Sequence, residues 1–364
     1  MKPLWRSTGA RIRVGRIGSA NDLRGVDTVT LENSIVRVTF AASKGGEIVE
    51  FVDKRIDVDY CSFSETGPVS ALSASAVAAD AVATFHDGYT GGWQQVFPNG
   101  GAPSTYRGAR LGQHAEAAGA VWRPEILIDS ADEVIVRFTT ELLRFPFTMV
   151  RTVALRSRSS RLELIESATN LAPTAMHAMW GQHLIFGRPF LHEGSRITLP
   201  PGTIVTPDES KIGEVQRGCD QNWPIVAQTI GGTTNLSLVP ADDAESEMLY
   251  LHGFTSGWYE VSSDRTRSSI RVEWDAEQLP FLWMWREFGR STNYPFWGKT
   301  YALGLEPFSS MPTTGLAAAV ENGTAMEFSG GETKTLHWSI DVALDDGSFQ
   351  QHQPGTERLE EKNE

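Results

Sequence analysis

The chain has 364 residues, 40% of them hydrophobic, which is long and apolar enough for a large globular core and argues against disorder. Its 45 acidic and 32 basic residues leave a formal net charge of −13, so nucleic acid and anionic membrane surfaces are poor partners. Two cysteines, Cys61 and Cys219, lie far apart and fit a reducing cytoplasm better than a disulfide scaffold.

The first residues, M-K-P-L-W-R-S-T, lack the apolar stretch of a secretory leader. No run approaches the roughly 20 apolar residues that span a bilayer. The expected location is therefore cytoplasmic. Apolar and polar residues alternate over 34–40, 134–140, 148–155 and 161–166, then again over 269–274, 301–306 and 335–342. That period of two is the mark of half-buried strands, and clusters of Gly, Pro, Asn, Asp and Ser bound each run. Alanine-rich residues 71–84 read as a strand or short helix packed on the body. There is no long amphipathic helix, no repeat and no linker that cuts the middle of the chain. The sequence thus predicts an all-β protein, a large antiparallel β-sandwich or barrel, as one domain over residues 1–346. Residues 347–364 read as a disordered tail; from Asp341 onward seven acids face two bases.

Several chemistries are excluded by missing motifs. Without G-x-x-x-x-G-K-[ST] or G-x-G-x-x-G, nucleotide binding has no support. There is no G-x-S-x-G elbow for a serine nucleophile. Neither C-x-x-C nor H-E-x-x-H appears, which removes the common zinc signatures.

Four stretches carry chemistry instead. In Tyr301-Ala-Leu-Gly-Leu-Glu306-Pro307, a glutamate ends a buried-strand pattern. A carboxylate there is costly unless it is paired or used, and Pro307 is expected to stop the ladder because it has no N–H. Its bland alternative is an ion pair with an arginine such as Arg286. In Met176-His177-Ala-Met-Trp-Gly-Gln182-His183, two histidines six apart share one face of an extended chain. They read as structural histidines satisfied by hydrogen bonds, or as a metal pair whose obvious third ligand is missing. The stretch Asp87 to Gly101 is rich in glycine and carries Trp93, Phe97, Gln94, Gln95 and Asn99. Flat apolar faces beside amides suit a sugar, or else they pack a structural loop. Trp283 and Trp285 are expected to pack one sheet face.

These residues resemble a family, the aldose 1-epimerases or galactose mutarotases, over about residues 26–342. Tyr301-Ala-Leu-Gly-Leu-Glu306-Pro307 is similar to the strand that carries the family's catalytic base. His183 sits where the family has its general-acid histidine, and Gly91 to Gly100 resembles a "GGw…fPn" segment of the wider group. His114, in Gly-Gln-His-Ala-Glu, is similar to a substrate-binding histidine. The resemblance implies a galactose mutarotase-like β-sandwich, with Glu306 and His183 catalytic. It also implies substrate-binding roles for His114, Trp93, Gln94, Gln182, Arg110 and Trp258.

The sequence departs from the pattern at Gln182, where the family has asparagine, and at Ala115, where it has glycine. It therefore marks a divergent branch. The implied reaction exchanges the anomers of a reducing monosaccharide by ring opening and closure, with no metal and no organic cofactor. A homodimer is allowed for. Three alternatives stay open. One is a sugar-binding or regulatory module, another a carbohydrate lyase or hydrolase, and the third a phosphosugar epimerase using Arg107, Arg110 and Arg286.

Overall fold

The alternating segments become strands of two large antiparallel sheets. The computed structural model describes residues 9–17, 25–64, 82–89, 91–210, 213–345, 349 and 359. Most of the alanine-rich piece and most of the tail lie outside the described residues.

Among the described residues, one of these sheets has twelve strands and the other eight. The path of the larger runs through Arg11–Ile17, Val26–Glu32, Val36–Ala41, Glu47–Asp53 and Trp93–Val96 to Gly181–Gly187 at its centre. It continues through Tyr301–Phe308, Phe281–Phe288, Ala244–His252 and Ile204–Pro207 to Gln221–Asn222, while Val58–Asp59 pairs beside Glu47–Asp53. The second sheet has eight strands, in the order Arg196–Thr198, Gly257–Ser263, Ser268–Trp274, Thr333–Leu344, Leu162–Asn170, Phe147–Arg156, Glu133–Glu141 and Arg123–Asp129. Apolar side chains on the inner faces of the two sheets form one continuous core that includes Phe51, Phe138, Phe186, Tyr259 and Leu305. The helices Ala83–Gly88 and Leu316–Glu321 have only six residues each. Both thiols are free, Cys61 buried and Cys219 exposed.

A buried polar network crosses between the sheets. Arg151, on the smaller sheet, donates from Nε to Glu166 Oε1 at 2.6 Å and from its guanidinium to Gln95 Oε1 at 2.9 Å. It also donates to the carbonyl of Gly46 at 2.7 Å. Glu166 accepts further bonds from the amides of Gln95 and Gln182, both on the larger sheet. Every charge in this network has a partner, which is the condition under which buried ions are tolerated.

Pro307 does not end its strand, which continues to Phe308. The pairing explains why. Against Gly181–Gly187 the strand is paired at Gly181↔Phe308 and again from Ile185↔Gly304. The ladder is open in between, so a residue without an N–H fits there. That same register sets His183 opposite Glu306 in the opening.

Candidate active site

Strand alternation decides which side chains share a face. Gln94 pairs with His183 across the Trp93–Val96 and Gly181–Gly187 strands, and Glu306 pairs with Trp283 on the other side. Gln94, His183 and Glu306 thus form one row on the face of the large sheet that points away from the other sheet. All three are buried, Glu306 to 1% exposure and His183 to 7%. His183 Nε2 lies 3.7 Å from Glu306 Oε1. This gap is too narrow for a sugar ring, so any substrate must lie across the edge of the pair.

Hydrogen bonds fix the histidine. Lys44 donates to Glu47 at 2.6 Å, and Gln94 Nε2 donates to the other oxygen of Glu47 at 2.9 Å. The Gln94 carbonyl oxygen is thereby turned to His183 Nδ1, 2.9 Å away. An amide oxygen only accepts, so Nδ1 carries the proton and Nε2 faces Glu306. Burial pushes the His183 pKa from its ordinary 6.5 down to about 3, because the apolar surroundings disfavour a charged ring. Glu306 has room to lie flat because Gly304 is beside it: a Cβ there would meet Glu306 Oε1 at 2.6 Å.

Aromatic rings cover the pair. Phe85, in the helix Ala83–Gly88, and Tyr89, at its end, stand edge-on to the His183 ring with centroids 6.2 and 5.8 Å away. His114 lies 5.0 Å from His183, ring to ring, and its backbone φ is +48°. Outside this layer is a cavity of about 640 Å³. Glu47, Gln94, His114, Phe85 and Tyr89 line it, and its far wall includes Thr139 to Arg144. His183 and Glu306 lie behind this lining.

Of the residues singled out in the sequence, the structure brings Glu306, His183, Gln94 and His114 together. Four others lie elsewhere. Trp93 faces the core, packs on Phe51 and Phe186, and donates its indole N–H to the Ile185 carbonyl. Gln182 points inward to Glu166, because it alternates with His183. Arg110 is exposed on a hairpin of its own, Ser104–Tyr106 with Ala109–Leu111. Trp258 lies on the outer side of the smaller sheet, under the guanidinium of Arg271 at 4.2 Å. Arg286 pairs with Glu247 at 2.9 Å, not with Glu306, and Arg107 binds the Ala175 carbonyl. The arginines needed for a phosphosugar site are thus not gathered. His177 bonds to the Tyr106 hydroxyl at 3.1 Å, away from His183. No cluster of three metal-ligating side chains occurs among the described residues.

Lys44, Glu47, Phe85 and Tyr89 escaped the sequence reading. Tyr89 lies inside the glycine-rich stretch that drew attention, so composition pointed near it. Glu47, in G-G-E-I-V-E, carries no local signal.

Two open antiparallel sheets packed face to face, with a histidine–glutamate pair on the outer side of the larger one, define a galactose mutarotase-like β-sandwich. The chain belongs to the family described as a domain of unknown function, DUF4432, whose profile matches residues 23–342. Nothing among curated protein sequences matches it. Solved structures share the fold at low identity. A candidate aldose 1-epimerase from Klebsiella pneumoniae is 14% identical, with a TM-score of 0.70 over 96% of this chain and 86% of that one. A galactose mutarotase-like protein from Clostridium acetobutylicum is 13% identical, with a TM-score of 0.65 over 92% and 99%. One from Lactobacillus casei is 17% identical, with a TM-score of 0.57 over 87% and 100%. Among the described residues, no helix is long and apolar enough to cross a membrane.

Proposed function

We propose that this protein is an isomerase of the aldose 1-epimerase type, exchanging the α and β anomers of a reducing sugar. The observation that carries this reading is the His183–Glu306 pair, 3.7 Å apart and backed by Gln94, Glu47 and Lys44. Ring opening needs a base at the anomeric hydroxyl and an acid at the ring oxygen. Those two oxygens share one carbon, so two proton-transfer groups held side by side can each meet one of them.

Glu306 takes the hydroxyl proton. His183, neutral at rest, takes up one proton from solvent at Nε2 and gives it to the ring oxygen. The resulting imidazolium is favoured by the adjacent carboxylate and by the Nδ1–H bond to Gln94, which is itself held by Glu47. Closure on the other face of the opened carbonyl reverses both transfers. The chemistry calls for no metal and no organic cofactor.

The test is anomer exchange by NMR saturation transfer over neutral aldoses, uronic acids and sulfonated sugars. Wild type is expected to speed exchange of at least one sugar. Glu306→Gln and His183→Asn, still folded, are each expected to lose about 10²–10⁴-fold. A sugar that binds without faster exchange would replace this proposal with a binding module. A product of new mass would replace it with a lyase or hydrolase, because anomer exchange conserves mass.

A further inference from the structure

The hydroxyl of Tyr89 is buried and has no hydrogen-bond partner. A phenol that gives up water without gaining a partner is destabilising, and native proteins keep few such groups. Tyr89 is placed to gain one from a ligand. It lines the 640 Å³ cavity together with Glu47, Gln94 and His114, and its ring stands 5.8 Å from that of His183. It therefore lies at the boundary between the open cavity and the buried pair. Burial holds its hydroxyl protonated, and the nearby carboxylates of Glu306 and Glu47 add to that effect. A group that accepts from this phenol and donates to a nearby carboxylate would satisfy both sides. An alcohol does both, whereas a carboxylate or phosphate only accepts and, at this hydroxyl, would meet the charge of Glu306; Glu47 is already paired with Lys44.

We propose that Tyr89 is a substrate-binding and specificity-determining residue whose hydroxyl donates to a hydroxyl of an uncharged sugar. This inference rests on the isomerase reading above. It adds a contact that the sequence resemblance did not supply, and it narrows the substrate to neutral polyhydroxy compounds at that position. Phe85 and Tyr89 also separate the cavity from His183, so the sugar meets this phenol on its way to the pair.

Tyr89→Phe keeps the ring and removes only the oxygen. The full-length protein and this variant would be compared with D-glucose, D-galactose, D-mannose and D-glucuronate, and with monodeoxy analogues of the sugar that works best. Exchange would be read by NMR and binding by calorimetry. In the variant, KM or the dissociation constant for the best neutral sugar is expected to rise about tenfold, the worth of one hydrogen bond in a dry site. One monodeoxy analogue should bind wild type about tenfold more weakly than its parent, yet bind wild type and variant equally. The melting temperature of the unliganded variant should not fall, because an orphaned hydroxyl has been removed.

Equal exchange and binding in wild type and variant would overturn the role of Tyr89 while leaving the isomerase reading intact, as would a preference for glucuronate. Binding without faster exchange would sink the isomerase reading, and the affinity ratio would still decide on Tyr89. If none of these sugars or analogues binds, the role of Tyr89 falls, and the isomerase reading falls with it if the other uronic acids and the sulfonated sugars also fail to exchange.

Discussion

At the residue scale, the site turns on one neutral histidine. His183 keeps its proton on Nδ1 because the amide of Gln94 is oriented by Glu47, and its depressed pKa follows from burial. The same burial makes a prediction about stability. Between pH 6.5 and about 3 an unfolded chain protonates this imidazole, whereas the folded chain does not. The unfolded state then binds more protons, so His183 withdraws stability as pH falls through this window, by about 1 kcal/mol per pH unit. In His183→Asn the acid side of the melting-temperature profile should be shallower than in wild type. Asp59 acts with the opposite sign. Burial pushes its carboxyl up to about 6, so the stability it contributes is full below 3.8 and is lost as pH rises towards 6. It is present in both proteins and cancels in the difference. Parallel profiles from pH 6.5 to 4 would mean that His183 is hydrated and charged in the folded state.

Strands explain what was legible in the sequence and what was not. The alternation over 134–140, 148–155 and 335–342 lies inside Glu133–Glu141, Phe147–Arg156 and Thr333–Leu344, because a half-buried sheet writes a period of two directly into the chain. Glu306 and His183 stood out as polar residues inside apolar strands. Trp93 stood out as a flat ring in a glycine-rich stretch and Gln182 as a departure from the family pattern beside His183, yet both lie on the inner face. Position in a short motif does not reveal the side of the sheet when both sides are buried. Glu47 and Tyr89 reach the site from a distant strand and from a helix end, and nothing local marks that approach. The glycine of L-G-L-E is an element-level feature that can be tested. A Cβ on Gly304 would meet Glu306 Oε1 at 2.6 Å, Ile185 Cδ1 at 2.9 Å and Trp285 Cβ at 3.1 Å. The carboxylate is the most mobile of the three and should yield first. Gly304→Ala is therefore expected to lower anomer exchange at least tenfold while costing only about 1 kcal/mol in stability. Full activity with Glu306 unmoved in a crystal structure of the variant would remove Gly304 from this account.

Across the whole molecule, the position of the site depends on how the two sheets are tied together. Gln95 and Gln182 are the sequence neighbours of Gln94 and His183, and they point the other way, into the sandwich. There they bind Glu166 and Arg151 of the smaller sheet. The same two strands thus carry Gln94 and the proposed acid His183 on one face, and on the other the amides that bind the Arg151–Glu166 ion pair of the smaller sheet. Removing one ion should cost far more than removing the pair's charge altogether. Arg151→Met strands Glu166 in the core with amides as its remaining partners, and is expected to cost about 3–5 kcal/mol in urea unfolding. Arg151→Met combined with Glu166→Gln leaves no net charge to desolvate and should recover much of that loss. Because a typical domain has only about 5–15 kcal/mol to lose, the single variant should melt well below wild type. Where it remains folded, its Gln95 and Gln182 lose their anchor, and anomer exchange should fall with them. A single variant costing under about 1 kcal/mol would mean that solvent reaches this network. A double variant that costs as much as the single would show that hydrogen-bond geometry, and not an unpaired charge, holds the sheets in register.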